Sequence, residues 1–220
     1  MIVMDAVLET HDARDFTAWP IAEPSDDRLI ALSGGLSPAE VGTAMAVIVA
    51  YAGIPAEPVA DLHLSLDRHL IEAERLIAPG GLRVTDTATG HRVLPGCCCG
   101  LENWREWADV LHGQSPWLGH DPDTELEHIG LERAGLERAG LERAGLERAG
   151  EAVRLRQEPA HEVRIPLADL PGLLSAVHAS LRGFLARVDA WAGETCPRAA
   201  GRLVAVLDES FHITGPLDLG

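Results

Sequence analysis

The sequence predicts an α+β fold, and two patterns support this prediction. Apolar and polar residues alternate with the strand period of two in short neighbouring segments, which suits one antiparallel hairpin and one three-stranded meander. About five other segments repeat their apolar residues every three or four positions, as helices with one buried face do. The chain has 220 residues, of which 46% are hydrophobic. Residues 1–220 can therefore bury a core, and we expect them to form a single domain.

The first helix is predicted by its start signal. Before it, the short apolar runs at residues 2–8 and 29–32 predict strands. Ser37 and Glu40 then have the spacing of a capping box, with proline at the first helical position. Gly53 follows the last residue of the apolar stripe, so the helix is expected to end there.

The second helix and the hairpin follow one another. The helix is predicted from five apolar residues spaced three or four apart, which are Leu62, Leu66, Leu70, Ala73 and Ile77. It should end at the Pro-Gly-Gly sequence of residues 79–81. Leu82, Val84 and Val93 then alternate with polar residues, and residues 87–90 supply a turn that ends in glycine. This pattern predicts two antiparallel strands with one apolar face.

A third helix is predicted directly after the hairpin. Its apolar face consists of Leu101, Trp104, Trp107, Ala108 and Leu111. Arg105 and Asp109 are four positions apart on the opposite side, which predicts an ion pair in the less favourable orientation. Three consecutive cysteines, residues 97–99, stand at the joint between the strand and this helix.

The second half of the chain predicts the meander and two more helices. The strands are expected at residues 125–128, 153–157 and 161–165. Asp169 is the expected N-cap of the longest helix, whose apolar residues follow the helical period until Gly193. A last helix is expected to begin near Pro197 and to end near Phe211.

Residues 131–150 are four identical copies of Leu-Glu-Arg-Ala-Gly, and they interrupt the meander between its first two strands. A five-residue step turns a helix by about 500°, so the leucines scatter around the helix axis. In a strand, an odd period places them on alternate faces. Neither element can bury all four leucines, so we interpret this LERAG segment as a tandem-repeat insertion at a hairpin tip.

The repeat also has an alternative interpretation. Residues 134–138, Ala-Gly-Leu-Glu-Arg, resemble the pentapeptide-repeat family. That resemblance implies a square β-helix and, for some family members, acidic mimicry of DNA. Four pentads amount to one coil, however, and stacked repeats need neighbours on both sides to bury their faces. We therefore favour an expanded loop over a β-helix.

The charge of the chain bears on its partners and its location. Its net charge is −16, from 34 acidic and 18 basic residues. Binding to nucleic acid or to an anionic membrane needs basic patches, so the charge argues against both and leaves a basic protein partner open. The first 15 residues turn acidic too early for a signal peptide. We therefore expect a cytoplasmic protein with reduced thiols.

The three adjacent cysteines are the first candidates for chemistry. We favour burial as small apolar side chains at the joint, a common fate of free cysteine, and so expect no metal, cofactor or catalytic residue. Alternatively, Cys97 and Cys99 would point the same way in an extended segment and could bind zinc with a histidine. The histidines that could join them are His91, His112 and His120.

Two further site hypotheses concern the same region. Cys99 would stand at a helix N-terminus, where the pKa of a thiol can be lowered, and His120 beside Asp121 could serve as its base. Trp117, His120 and Asp121 also form a candidate binding corner. Trp104, Trp107 and Trp117 could form an aromatic binding pocket, but tryptophans at helical spacing are more often part of the core.

Residues 95–107, Pro-Gly-Cys-Cys-Cys-Gly-Leu-Glu-Asn-Trp-Arg-Glu-Trp, resemble a motif of uncharacterised acidic cytosolic proteins from GC-rich bacteria. The resemblance extends over residues 70–215 without the repeat, and it implies no known activity. All 18 basic residues are arginine, as the codon bias of a GC-rich genome produces.

Two classes of function follow from these patterns. The first is a cytosolic protein-interaction domain, for example an immunity or antitoxin-like protein, whose acidic surface masks a basic partner. The second is a thiol-dependent or zinc enzyme centred on residues 97–99. Zinc content and the reactivity of the cysteines distinguish the two classes.

Overall fold

Two antiparallel sheets lie side by side in the part of the chain that the structure describes. The computed structural model describes residues 1–13, 15–23, 25–54, 62–71, 76–130 and 150–219. The strands are β1 (Ile2–Glu9), β2 (Leu29–Ala31), β3 (Gly80–Asp86), β4 (Arg92–Val93), β5 (Thr124–Ile129), β6 (Ala152–Gln157) and β7 (His161–Pro166). Their order is β2-β1-β3-β4 in one sheet and β5-β6-β7 in the other.

The predicted hairpin forms half of the first sheet. Val84 on β3 lies opposite Val93 on β4, and both side chains are buried. The other half comes from the apolar runs near the N-terminus, because β1 pairs with β3 on one side and with β2 on the other. Long-range pairing of β1 thus turns a hairpin into a four-stranded sheet.

The predicted meander is the second sheet. Leu126, Leu155 and Val163 lie opposite one another on its three strands, with Leu155 and Val163 buried. Arginines and glutamates alternate with them on the exposed face, as in the pair between Arg154 Nη1 and Glu127 Oε2 at 2.9 Å. Together with the hairpin and the helices, this sheet confirms the predicted α+β fold.

Two histidines mark the line where the sheets meet, between β4 and β7. The rings of His91 and His161 lie edge to face, with 5.7 Å between their centroids. His91 Nδ1 lies 2.9 Å from the backbone oxygen of Glu162, and the backbone N–H of Arg92 points at His161 Nδ1 from 3.4 Å. Side-chain contacts of these two histidines therefore join β4 to β7, in place of backbone hydrogen bonds between paired strands.

Five longer helical segments lie among the described residues, and three of them contact β1 of the first sheet. They are α1 (Pro38–Tyr51), α2 (Leu62–Leu66) with a π-helical turn (Asp67–Ile71), a 3-10 helix (Leu101–His112), α3 (Leu170–Thr195) and α4 (Ala200–Phe211). The capping box at α1 is confirmed: the backbone N–H of Glu40 donates to Ser37 Oγ, and that of Ser37 donates to Glu40 Oε2. Hydrogen bonds to its carboxylate, from the side chain of Ser37 and then from the Ser37 backbone, hold the pKa of Glu40 below its ordinary value.

The helix after the hairpin is a 3-10 helix, so the α-helical ion pair predicted for it is wrong. With three residues per turn, positions four apart point about 120° away from each other. Arg105 consequently turns away from Asp109. Its guanidinium donates instead to three backbone carbonyls of the C-terminal tail, those of His212, Gly215 and Pro216, at 2.8, 2.7 and 2.6 Å.

Two other helix predictions need correction. Asp169 precedes α3, but its backbone is already helical, with φ −86° and ψ −23°, and its side chain makes no capping hydrogen bond. A capping side chain needs an extended backbone to reach the first free N–H groups. Ile77 is 38% exposed and lies beyond the described helical residues, while Ala73 lies outside the described part of the chain.

Helix α3 is the centre of the core and contacts β1, α1 and α4. Its predicted apolar residues are buried, with Leu173 partly so; the fully buried ones include Val177, Leu181 and Phe184. At Gly183 the backbone of α3 touches that of Gly34, since a Cβ built on Gly183 would lie 2.8 Å from Gly34 N. The helix therefore lies directly on the loop that leads into α1.

Candidate metal site at the cysteine corner

The candidate site is formed by two loops that lie against each other. One is residues 96–99, between β4 and the 3-10 helix, and the other is residues 117–121, after that helix. We call these two loops together the cysteine corner. The backbone N–H of Gly96 donates to Leu118 O at 3.0 Å, that of Cys97 donates to Asp121 O at 2.7 Å, and that of His120 donates to Cys97 O at 3.2 Å. Backbone hydrogen bonds thus fix which side chains meet.

Two glycines allow this close approach. Gly119 has a φ of +88°, and a Cβ built on it would lie 2.5 Å from the carbonyl carbon of Gly96. A Cβ on Gly96 would lie 2.8 Å from Leu118 O. Any side chain at either position would push the loops apart. Gly96 and Gly119 therefore allow the two loops to contact each other, and this contact holds His120 beside Cys97.

The corner gathers two thiols and one imidazole. The ligand atoms of Cys97, Cys98 and His120 all lie within 4.8 Å of one another, and all three residues are exposed. Among the described residues, this is the cluster of at least three histidine, cysteine or acidic side chains that could hold a metal ion. The interpretation of Cys97 and Cys98 as buried apolar side chains is therefore wrong.

Cys98 is the member of the cluster that the sequence did not indicate. Its φ is +67°, so the chain turns sharply at Cys98 instead of staying extended. In an extended segment Cys97 and Cys99 would share a face, whereas the turn brings Cys97 and Cys98 together. This turn is held by the backbone hydrogen bonds to residues 118–121, which are distant in sequence. The one feature of the sequence that could have indicated this turn is that Gly96 and Gly100 flank the three cysteines.

Cys99 lies outside the cluster. Its thiol is half-buried, and its Sγ donates to the backbone oxygen of Trp117 at 3.6 Å. Burial raises the pKa of the Cys99 thiol to about 11. It is therefore protonated at neutral pH, which argues against the nucleophile hypothesis for Cys99.

The two clustered thiols influence each other. A hydrogen bond with Cys97, followed by the charge on Cys97, raises the pKa of the Cys98 thiol. Two adjacent thiolates repel one another, so the fully ionised pair is unfavourable without a cation. A bound cation would remove this cost, because it attracts both sulfur atoms.

Trp117, His120 and Asp121 share the second loop of the corner. The Trp117 ring is 49% exposed and contacts the His120 ring edge to face, with 4.8 Å between the centroids. This contact positions the imidazole next to the thiols. Asp121 is exposed, and its backbone oxygen accepts the hydrogen bond from Cys97. Trp104 and Trp107 are buried, as predicted for core tryptophans, whereas the core prediction is wrong for Trp117.

The other candidate histidines lie elsewhere. His91 contacts β7 at the line between the sheets, and His112 is exposed at the end of the 3-10 helix. Neither belongs to the thiol cluster. Of the three histidines considered from the sequence, the fold therefore brings only His120 to the cysteines.

An acidic cleft lies next to the corner and was not predicted. It has a volume of about 480 Å³ and is lined by Asp123, Glu125, Glu158 and Glu162, with Arg156 and His161. The buried side chain of Gln157, which also lines the cleft, holds the segments that flank the corner, since its amide nitrogen donates to Leu94 O and Thr124 Oγ1, both at 2.7 Å. Glu125 of β5 and Glu162 of β7 both lie opposite residues of β6, so the alternation of side chains places them on the same face of the sheet.

The chain matches no protein-family model, no curated protein and no solved structure. Among the described residues, every helix is too short or too polar to cross a lipid bilayer. The chemistry of the corner is thus the basis for assigning a function.

Proposed function

We propose that this protein binds a thiophilic metal cation, with Zn²⁺ as the first candidate, through Cys97, Cys98 and His120. The observation that supports this proposal is the approach of their ligand atoms to within 4.8 Å in an exposed position. Tetrahedral zinc with sulfur and nitrogen ligands at about 2.0–2.3 Å requires ligand atoms about 3.5–3.8 Å apart. A shift of about 1 Å, within the range of side-chain rotation, would close the site.

The ligand set also indicates the kind of zinc site. Structural zinc sites use four protein ligands, whereas sites with three keep one position for water or substrate. Two cysteines and one histidine with an open position match the second kind. A zinc ion held this way lowers the pKa of a bound water to about 7. This chemistry favours the zinc enzyme among the two functions expected from the sequence.

Titration of the purified full-length chain tests the proposal. After chelation and reduction, we expect Co²⁺ to bind with one equivalent and to show thiolate charge-transfer absorption, and Zn²⁺ to displace it. Cys97→Ser, Cys98→Ser and His120→Ala should each weaken zinc binding by more than about tenfold. Cys99→Ser is the matched control and should bind normally.

Two results would contradict the metal proposal. One is the absence of stoichiometric binding of either cation to the folded, reduced chain. The other is a loss of binding in Cys99→Ser together with normal binding in Cys98→Ser, because the ligand set would then be Cys97 with Cys99.

A second function is supported by the acidic cleft. Four carboxylates face one arginine there, and the whole chain carries a charge of −16. We propose that this surface binds a basic protein partner in the cytoplasm, as an immunity or antitoxin-like protein would. The same charge opposes nucleic acid and anionic membranes as partners. The resemblance of residues 95–107 to proteins of GC-rich bacteria supports a bacterial setting.

Affinity purification from the native host tests this second function. A basic protein should be recovered, and its affinity should fall as the salt concentration rises. Asp123→Asn with Glu158→Gln should weaken the complex, whereas the exposed Glu194→Gln on α3 serves as the control. A complex that is insensitive both to salt and to the cleft substitutions would contradict the proposal.

A further inference from the structure

Cys97 and Cys98 have a second chemical capability besides metal binding. They are consecutive residues, both are exposed, and their sulfur atoms lie within 4.8 Å of each other. The turn at Cys98, with φ +67°, directs the two side chains to the same side. Two exposed thiols this close can be joined by oxidation through a local change in their own loop.

We propose that Cys97 and Cys98 form a reversible disulfide with each other, and that this disulfide is a modification that empties the cation site. The effect on the cation rests on the proposed metal-binding function, whereas disulfide formation does not. A disulfide uses both sulfur atoms, and neither remains as a thiolate ligand.

The reaction with a low-molecular-weight disulfide balances without a further reagent. The thiolate of Cys97 attacks one sulfur of the reagent, which releases one thiolate and leaves a mixed disulfide on Cys97. The thiolate of Cys98 then attacks the Cys97 sulfur and releases the second thiolate. The two cysteines lose two electrons and two protons in total, and the reagent is reduced to two thiols.

The geometry predicts that this disulfide is easily reduced. Consecutive Cα atoms are about 3.8 Å apart across a trans peptide. Disulfides usually join Cα atoms about 4.4–6.8 Å apart, so a bridge between neighbours is strained. Strained and exposed disulfides have the more oxidising potentials of labile or regulatory bridges. The Cys97–Cys98 bridge should therefore form and break as the thiol pool changes.

The remaining cysteines have different surroundings. The Cys99 thiol is half-buried against the backbone oxygen of Trp117. Cys196 is fully buried at the end of α3. Neither thiol has the exposure that the exchange reaction needs. The pairing should thus be specific to Cys97 and Cys98.

Mass spectrometry of the full-length protein tests the pairing. The reduced, metal-free chain is treated with oxidised glutathione, alkylated and digested with trypsin, which yields residues 93–105 as one peptide with all three adjacent cysteines. We expect this peptide to carry a single alkyl group, on Cys99, and to lack two hydrogen atoms. Excess reduced glutathione should restore three alkyl groups. Cys99→Ser should still form the disulfide, and Cys97→Ser and Cys98→Ser should not.

Several results would overturn the inference. They are three alkylated cysteines after oxidation, a single alkyl group on Cys97 or Cys98, a bridge between two chains, and a bridge that excess reduced glutathione leaves intact. Each would show that the adjacent pair is not a reversible disulfide site.

Repeating the oxidation in the presence of zinc tests this inference separately from the proposed function. At zinc one hundred times its Kd, about one chain in a hundred is free, so oxidation should slow about a hundredfold. If the disulfide forms equally fast with and without zinc, the disulfide stands and the metal proposal fails. If zinc binds but the disulfide never forms, the metal proposal stands and the disulfide fails.

Discussion

At the scale of single residues, Cys98 shows how the backbone decides the chemistry of the corner. Its positive φ is unfavourable for any residue with a Cβ. The hydrogen bonds from Gly96 and Cys97 to the second loop hold the chain in this turn. The strain brings two thiols together, which an extended backbone would separate.

Cys98→Gly and Cys98→Ala separate the chemical role of Cys98 from its conformational role. Both variants lose the sulfur and should lose the cation. Glycine tolerates the positive φ and alanine does not, so the glycine variant should unfold at a higher urea concentration, by about 0.3 M. Equilibrium unfolding monitored by tryptophan fluorescence provides the comparison. Equal midpoints would show that the turn relaxes when the cysteine is removed.

Arg105 is the second residue whose role depends on local geometry. Its planar guanidinium matches three tail carbonyls, and it also stacks over the Trp104 ring at 4.8 Å from the centroid. Lysine has one charged nitrogen and cannot reach the three acceptors together. We expect Arg105→Lys to lower the free energy of unfolding by about 1–2 kcal/mol.

Limited proteolysis is the specific readout for Arg105. The tail at residues 213–219 should be cleaved faster in Arg105→Lys, because its anchor is lost. Arg182→Lys, at an exposed position of α3, should change neither the stability nor the cleavage. An unchanged cleavage rate in Arg105→Lys would mean that other contacts hold the tail, such as that between His178 Nε2 and Ile213 O at 2.6 Å.

At the scale of elements, α3 and the loop at Gly34 are in backbone contact. An alanine at Gly183 would place its Cβ 2.9 Å from Gly34 Cα. Both neighbours are backbone atoms, so a shift of the helix or the loop is required. Gly183→Ala should therefore destabilise the protein by about 1–3 kcal/mol.

Gly193→Ala is the matched control for Gly183→Ala. It lies in the same helix, and no atom comes within 4 Å of its added Cβ. This substitution should stabilise the protein by about 0.4–1 kcal/mol, since alanine restricts the unfolded chain. Urea denaturation of both variants shows whether each substitution raises or lowers the free energy of unfolding. A stabilising effect at both positions would show that the backbone contact at Gly34 is loose.

The elements also show what a sequence can predict here. The strands of the meander were predictable because each pairs with its neighbour in the chain, and alternation identifies the buried face. The 3-10 helix was not distinguished from an α-helix, because apolar spacings of three and four fit both over 12 residues. The candidate site was predicted only in part. Cys97 and His120 were recognised, but the role of Cys98 depends on a turn held by distant backbone groups.

At the scale of the whole molecule, the ends of the LERAG segment lie together. Residues 131–149 of the repeat lie outside the described residues. On either side of it, Ile129 of β5 pairs with Ala152 of β6. A Cβ on Gly130 would lie 3.4 Å from Glu151 Cα. The second sheet is therefore already closed where the repeat departs from it.

Deletion of residues 131–150, which joins Gly130 to Glu151, should leave the fold intact. A change in loop length alters the closure entropy by only about 0.6 kcal/mol per doubling, and the four leucines cannot share one buried face. We expect the urea midpoint of the deletion variant to stay close to that of the parent. A loss of several kcal/mol would mean that the leucines pack against the domain or a second copy.

The closed hairpin makes the length of the repeat independent of the strands on either side of it. Each Leu-Glu-Arg-Ala-Gly unit adds one acidic and one basic residue, so gaining or losing a unit leaves the net charge unchanged. The pairing of Ile129 with Ala152 lies outside the repeat, so it does not depend on the number of units. Variants with fewer or more units should therefore keep both the fold and the net charge of the parent.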